Sequence, residues 1–453
     1  MISENKRELR NRNIRLALAS SIVARLAGIL LQVLSLPIAA AALGQEKFSI
    51  YAMIGAILAW MMLSNFGISQ ATTLHMAQAI GEKNNQHANR IFIASLIVIS
   101  LIALGVSLII GLLTLLTPLP QLIFAKQIVS TDDVSGIVAA LIFTCFVFLA
   151  NQLLSVFEAA QLAHQQQKNL NIAMAIGSTL AAGLVYLTAK ENPSVLNILL
   201  AVHIPVLFFR LINAIQINKK MQASHPLSKQ NNLDSIKKIL QDGARFLSGT
   251  TISNFLCHPF IILMIGMLSH ASMASSFAAV MNALLLVAAL FGYLMSPIRG
   301  ALPEARQSGD KLWIRNIYKK TMIISLSYAL IPCMLLTLAG PWVFRIWYSG
   351  SINPDGFLLI GAGLYIIFLA VEVIHYNFLS SLGELKYASN WMLYKSIASV
   401  LVIWYLITTG KANMTFFGLI FANFIFSLIP LGQKIHRILK NYRLPTQDRQ
   451  NFC

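Results

Sequence analysis

Long apolar runs recur along the whole chain and limit what it can fold into. Of its 453 residues, 57% are hydrophobic and only 11% are charged, which is far too apolar for a soluble domain. A membrane-spanning helix needs about 20 apolar residues, and lipid admits only helices or closed barrels. Because the runs are long and do not alternate in polarity, they predict an all-α polytopic membrane protein with about 12 transmembrane helices. The predicted spans are 16–43, 48–73, 91–117, 137–160, 171–189, 195–217, 246–268, 276–301, 321–344, 357–381, 390–409 and 416–432.

Basic residues cluster between the apolar runs and set the predicted orientation. With both termini in the cytosol, 26 of the 34 Lys and Arg residues fall in cytosolic segments and five in external loops. This asymmetry is what the positive-inside rule requires. The net charge of +18 is therefore an orientation signal, and nucleic acid is not an expected partner. The basic N-terminus precedes a run too long for a signal-peptide core, so we expect it to stay in the cytosol.

One basic segment divides the predicted spans six and six. The sequence therefore predicts an N-terminal lobe at 1–217, a cytosolic linker at 218–245, a C-terminal lobe at 246–433 and a cytosolic tail at 434–453. Similar short sequences end the second and the eighth span, at 77–83 and 305–311, and they favour two pseudo-repeated lobes. Duplicated halves with a site at their interface are a recurring plan of transporters.

The first span carries its polar and smallest side chains on one stripe. At helical spacing the stripe consists of Ser21, Arg25, Gly28, Gln32 and Ser35, and we expect it to line a polar cavity. A charge near the bilayer centre costs about 2.5–3.5 kcal/mol, so Arg25 is the residue expected to sense an anionic substrate. The alternative is that Arg25 lies near the membrane boundary and snorkels to the headgroups.

Two other spans contribute polar groups without a fixed charge. In the seventh span, Thr251, Asn254 and His258 are spaced at i, i+3 and i+7, and the second span contributes Asn65. Amide, hydroxyl and imidazole groups in a cavity fix the orientation of a polar ligand. We expect these residues to face the same cavity as Gln32.

Two candidate pairs of charged residues lie inside later spans. Glu372 and Lys395 fall at similar depths on consecutive antiparallel helices, and His375 is one turn from Glu372. Two interpretations stay open: an ion pair that only locks two helices together, or a protonatable group that couples transport to an ion gradient. Glu158 and Arg210 lie on the fourth and sixth spans, where packing or a gate is the expected role.

Motifs of soluble enzymes are not found. The sequence contains no Gly-rich phosphate loop, Walker lysine, HExxH motif or nucleophile elbow. The four cysteines, Cys145, Cys257, Cys333 and Cys453, are too scattered to indicate a disulfide framework or a zinc site. We therefore expect a membrane transporter rather than an enzyme, with no cofactor and no metal. Its energy would come from an ion gradient, the membrane potential or the substrate's own gradient.

Three segments resemble one family of exporters. They are the short outer hairpin Leu43–Tyr51, the sequence Asn65–Ile68 near the end of a long second span, and the segment Phe277–Arg306 with its prolines. In these features the chain resembles the polysaccharide transport family of oligosaccharide-lipid flippases. That family belongs to the multidrug/oligosaccharidyl-lipid/polysaccharide (MOP) exporter superfamily.

The resemblance implies two six-helix lobes around a central V-shaped cavity and a multi-pass protein of the bacterial inner membrane. The implied substrate is a polyprenyl-diphosphate carrying an O-antigen or related oligosaccharide unit, flipped to the outer leaflet by alternating access. Membrane lipids, a polysaccharide polymerase and chain-length machinery are the implied partners. Arg25 would then bind the diphosphate, because a cation is needed there, while the sugar would contact Gln32, Asn65, Thr251, Asn254 and His258.

Three other functions remain open on the sequence. A drug or cation antiporter of the same superfamily would need acidic cavity residues, yet no carboxylate lies between Glu8 and Glu46. A flippase for the peptidoglycan lipid precursor shares the diphosphate and is not separated by this argument. A membrane-embedded glycosyltransferase or polymerase generally needs a large external loop, and the longest one here, 118–136, is short.

Overall fold

The protein is built from helices. The computed structural model describes residues 2–82, 84–127, 131–164, 166–224, 249–307 and 310–441, and it contains no strand among them. The helices are α1 (Ile2–Met62), α2 (Ile68–Gly81), α3 (Asn85–Leu116), α4 (Leu119–Ile123), α5 (Thr131–Ala163), α6 (Gln167–Glu191), α7 (Val195–Ser224), α8 (Gly249–Cys257), α9 (Pro259–Leu268), α10 (Ala271–Gln307), α11 (Lys311–Trp347), α12 (Gly356–Ser381), α13 (Leu385–Thr408), α14 (Thr415–Asn423) and α15 (Ile429–Asn441). The predicted all-α membrane fold is confirmed.

Most described residues of the predicted spans fall on these helices. Within the described part of the chain, ten helical segments are long and apolar enough to cross a membrane. The first of them, Leu26–Asn65, is 40 residues long and includes most of the first two predicted spans. A shorter apolar segment, Ile252–Leu268, corresponds to the seventh predicted span.

Gly44 separates the first two spans. Its backbone angles, φ 70° and ψ 175°, interrupt the helical geometry of α1. Positive φ is strained for residues with a Cβ, whereas glycine adopts it at no steric cost. Glycine is required here by the backbone conformation and not by space, since a Cβ at Gly44 would meet no atom within 4 Å.

Two spans predicted as continuous helices are broken. The predicted span 48–73 contains a 3-10 turn at Leu63–Asn65, followed by Phe66 and Gly67 with φ of 47° and 69°. The predicted span 246–268 breaks at His258, with φ −124° and ψ −78°, directly before Pro259. A proline disfavours helical geometry in the residue before it and cannot donate a helical hydrogen bond.

The chain divides into two compact units. The first comprises 1–248, 270–275 and 347–352, and the second comprises 249–269, 276–346 and 353–453. In the first unit, α2, α3 and α5 pack around buried side chains such as Ile68, Phe92 and Val156. In the second, α10 to α13 and α15 pack around Leu302, Phe378 and Leu431, among others. The linker predicted at 218–245 is described only to Ser224, and the tail predicted at 434–453 only to Asn441.

Candidate functional site

The residues predicted to contact substrate lie in different structural settings. Arg25 lies in α1 and Thr251 in α8, but the side chains of both lie outside the described part of the structure. Gln32 and Asn254 are exposed on α1 and α8. Their predicted contacts with substrate stay predictions.

Asn65 binds its neighbours in the protein. Its Nδ2 donates to Gln152 Oε1 at 2.8 Å and to Ser69 Oγ at 3.1 Å. Its Oδ1 accepts from the backbone N–H of Ser69 at 3.3 Å, and Ser69 Oγ lies 2.8 Å from Ser155 Oγ. Since the first N–H groups of a helix lack helical partners, Asn65 satisfies one of them at the start of α2. The residue therefore stabilises the break in the second span and joins it to α5.

His258 occupies the break between α8 and α9. Its side chain is buried, with 9% of its surface exposed, and its Nε2 has no hydrogen-bond partner among the described residues. The stripe of Thr251, Asn254 and His258 therefore does not continue along one helix, because the helix ends at Cys257. Periodicity alone did not predict this break, although Pro259 marks its position.

A buried ionic cluster lies in the second unit. Lys395 Nζ of α13 lies 2.8 Å from Glu372 Oε1 of α12, so the structure brings together two residues that the sequence places at similar depth. Asn423 Nδ2, at the end of α14, donates to the other carboxylate oxygen of Glu372. The three residues are 3%, 3% and 0% exposed. A buried charge is tolerated when it is paired and hydrogen-bonded, and both conditions hold here.

His375 has a different partner from the one expected. Its Nε2 lies 2.9 Å from the hydroxyl of Tyr318 on α11, and its Nδ1 has no hydrogen-bond partner among the described residues. Glu372 instead bonds Lys395 and Asn423. The two side chains sit one turn apart on α12 but point to different neighbouring helices. A role of His375 in coupling stays a prediction.

The first unit contains its own ionic cluster. Arg210 Nε of α7 lies 2.6 Å from Glu158 Oε1 of α5, and Arg210 Nη1 donates to Asn151 Oδ1 on the same helix as Glu158. One turn further along each helix, Gln161 and Asn213 exchange two amide hydrogen bonds of 2.7 Å. These contacts tie α5 to α7 through their polar faces.

The two units thus share one arrangement of polar side chains. In each unit, counting its own six spans, a glutamate on the fourth span bonds a side chain on the sixth: Glu158 with Arg210, and Glu372 with Asn423. The cation lies on the sixth span in the first unit, whereas Lys395 supplies it from the fifth span in the second. Glu158 and Glu372 are the two carboxylates inside the predicted spans, and each is neutralised by a basic side chain.

Several members of these clusters were not predicted from the sequence. Asn423 is a polar residue in the middle of the apolar run 416–432, a signal that would have identified it. Tyr318 precedes the predicted span 321–344 and lay in a segment interpreted as cytosolic. Gln152 and Asn213 are buried amides inside spans, and such amides nearly always have a hydrogen-bond partner.

Metal ligands and thiols add no further site. Among the described residues, no group of three or more His, Cys, Asp or Glu side chains is arranged to hold a metal ion. Cys145, Cys257 and Cys333 are free and buried. Cys257 Sγ lies 3.9 Å from Ser399 Oγ, on the helix that carries Lys395.

Comparison with known proteins identifies the fold. No family model and no curated protein matches the chain. Among solved structures, an inward-facing multidrug resistance MATE family transporter of the MOP superfamily is similar over 93% of this chain and 99% of its own, with a TM-score of 0.70 and 14% identity. A MOP superfamily transporter from Pyrococcus furiosus is similar over 94% and 96%, with a TM-score of 0.61 and 13% identity. An outward-facing MATE family transporter is similar over 95% and 96%, with a TM-score of 0.60 and 12% identity. The chain therefore shares the fold of these MOP superfamily transporters.

Proposed function

We propose that the protein is a transporter that moves a polyprenyl-diphosphate-linked oligosaccharide from the inner to the outer leaflet of a bacterial inner membrane by alternating access. The fold supports transport, since similar structures include inward-facing and outward-facing transporters. The substrate class rests on the charges inside the spans. Both carboxylates there are paired with basic residues, whereas the first span carries Arg25 and no acidic residue.

The physical barrier to flipping such a lipid is its headgroup. The prenyl tail can remain in hydrocarbon, but the diphosphate and the sugars must leave water. A guanidinium forms bidentate, charge-assisted hydrogen bonds with phosphate oxygens. Arg25 would bind the diphosphate in this way, with Gln32, Asn65, Thr251, Asn254 and His258 near the sugars.

A drug or cation antiporter is the second candidate, because two of the similar structures are described as multidrug resistance MATE family transporters. A cationic substrate needs a carboxylate free to bind it. In the described part of the chain, the two intramembrane carboxylates already have cationic partners. The Pyrococcus furiosus transporter is described as having a binding pocket of reverse polarity that suggests a different function. The fold is thus compatible with pockets of either sign.

Complementation separates these functions. The chain is expressed in a strain that accumulates polyprenyl-linked oligosaccharide on the inner leaflet, and surface polysaccharide is measured. Export of a cationic dye from a pump-deficient strain is measured in parallel. Restored polysaccharide without dye export supports the proposal, and the reverse result refutes it. A strain depleted of its peptidoglycan-precursor flippase tests the remaining diphosphate-lipid substrate.

Arg25 variants test the diphosphate contact. At equal membrane abundance, Arg25→Ala and Arg25→Glu should lower transport by at least about tenfold, the value of one charge-assisted contact of 1.5–3 kcal/mol. Arg25→Lys keeps the charge but loses the bidentate geometry, so we expect an intermediate rate. Arg15→Ala, which removes a charge from the N-terminal segment, is the matched control. Wild-type transport by Arg25→Glu would refute the assignment.

A further inference from the structure

An amphipathic groove lies in the first unit between α6 and α7, where the two helices pack as a hairpin. Its volume is about 390 Å³, and its lining residues are Leu184, Thr188, Glu191, Asn192, Asn197, Leu200, Ala201 and Ile204. We propose that this groove binds a phospholipid with a primary amine headgroup, such as phosphatidylethanolamine. None of its lining residues is among those proposed to contact the transported substrate, and the proposal does not depend on that substrate.

The polarity of the lining changes along the hairpin. Glu191 and Asn192 lie at the turn, where α6 ends. Leu184 lies seven residues before Glu191 on α6, and Ile204 lies seven residues after Asn197 on α7. At 1.5 Å per residue, each is about 10 Å from the polar end of the groove. One end of the groove therefore suits a headgroup at the membrane surface, and the other suits the first part of an acyl chain.

The apolar end opens towards the outside of the helix pair. Leu184 and Ile204 expose 36% and 42% of their surfaces, and Leu187 next to the groove exposes 52%. In a membrane-spanning hairpin this surface faces lipid. An acyl chain can thus enter from the bilayer without any opening of the protein.

The charge at the polar end selects the headgroup. Glu191 is the one charged residue among the lining residues, it is exposed, and it forms no ion pair within the described part of the chain. An exposed carboxylate attracts a primary ammonium, which also donates hydrogen bonds. Lys190, beside Glu191, lies over the Tyr186 ring, with its Nζ 4.4 Å from the centroid, and is available to the lipid phosphate. An anionic lipid also offers a phosphate to Lys190 but has no cation for Glu191, and it is therefore disfavoured.

Asn197 stabilises the turn at the polar end of the groove through hydrogen bonds. Its Nδ2 donates to the carbonyl of Asn192 at 3.0 Å, and its backbone N–H donates to Ser194 Oγ at 3.1 Å. The turn is therefore held by its own hydrogen bonds. The groove exists before any lipid binds.

Native mass spectrometry of the full-length protein tests the proposal. Purified protein in detergent is titrated with phosphatidylethanolamine, phosphatidylcholine and phosphatidylglycerol of matched acyl chains. We expect retention to fall in that order. Glu191→Gln should lower phosphatidylethanolamine binding about fivefold, as expected for one charge at a membrane surface. Glu46→Gln removes an exposed carboxylate on a different helix, α1, and is the matched control.

A second pair of variants tests the groove itself. Leu184→Trp fills the apolar end and should abolish the preference for phosphatidylethanolamine, whereas Leu187→Trp on the same helix does not line the groove and should keep it. Both positions are lipid-exposed, so neither change disturbs the core. Equal retention of the three lipids, stronger retention of phosphatidylglycerol, or equal binding by both Trp variants would overturn the proposal.

Discussion

The buried pair of Glu372 and Lys395 allows the most direct test of the structure. In Lys395→Met, the apolar stem is retained and the ammonium 2.8 Å from the carboxylate is lost. Glu372 would then keep only the amide of Asn423 as a partner. Both side chains of the pair are 4% exposed, so water does not replace the missing charge.

The expected magnitudes follow from this burial. Removing one partner of a buried ion pair costs about 3–5 kcal/mol, because it strands the other charge. Replacing both charges is often neutral, so Glu372→Gln combined with Lys395→Met should have a free energy of unfolding within about 1 kcal/mol of the wild type. The glutamine in this double variant can still accept a hydrogen bond from Asn423.

Unfolding in mixed micelles of mild detergent and SDS, followed by circular dichroism, measures these differences. The wild type, both single variants and the double variant form one double-mutant cycle. A double variant that loses as much stability as Lys395→Met would refute the idea that a stranded charge is what destabilises the protein.

Transport by the double variant then separates the two roles left open for this pair. If the pair only locks α12 to α13, the folded double variant transports at the wild-type rate. If Glu372 or Lys395 couples transport to an ion gradient, transport is lost although the fold is stable. The same preparation thus gives a structural and a functional result.

Two further predictions concern the first unit. A Cβ at Gly177 would lie 2.9 Å from Val206 Cα, so Gly177→Ala should destabilise the α6–α7 contact by about 1–3 kcal/mol. At Gly183 a Cβ would have no atom within 4 Å, so Gly183→Ala should be neutral or stabilising by up to about 1 kcal/mol. Equal effects of the two variants in the same unfolding assay would contradict the packing. Arg210→Met should cost about 3 kcal/mol by stranding Glu158, which is 21% exposed. Adding Glu158→Gln should restore most of this loss, and wild-type stability of Arg210→Met would contradict the reasoning.

Much of the architecture was predictable because it depends on local composition. Twelve apolar runs were enough to predict the spans, since a backbone in lipid must form its own hydrogen bonds. The hairpin at 43–51 was also predicted, and Gly44 supplies the positive φ that separates its two helices. The breaks after Asn65 and at His258 were not predicted, because a window of about 20 residues averages over one irregular residue.

The polar partners were predictable only in part. Glu372 and Lys395 were matched by depth, because consecutive antiparallel helices leave few possible neighbours. His375 was placed near them because it lies one helical turn from Glu372, yet its partner is Tyr318. Helical spacing gives the face on which a side chain lies within a fraction of a turn, but it does not say which neighbouring helix meets that face.

The sequence by itself determined the helical class, the number of spans and the presence of charges inside the membrane, because each depends on the cost of placing polar groups in lipid. The orientation stays a prediction. Depth in the sequence matched Glu372 with Lys395, but the tertiary structure alone decided that Arg210 neutralises Glu158 and which amides complete each cluster. Only packing brings Asn423 to Glu372, Arg210 to Glu158 and Gln161 to Asn213. These residues are 52 or 51 positions apart in sequence, and the helix-to-helix contacts that unite them depend on side-chain shapes along whole helices.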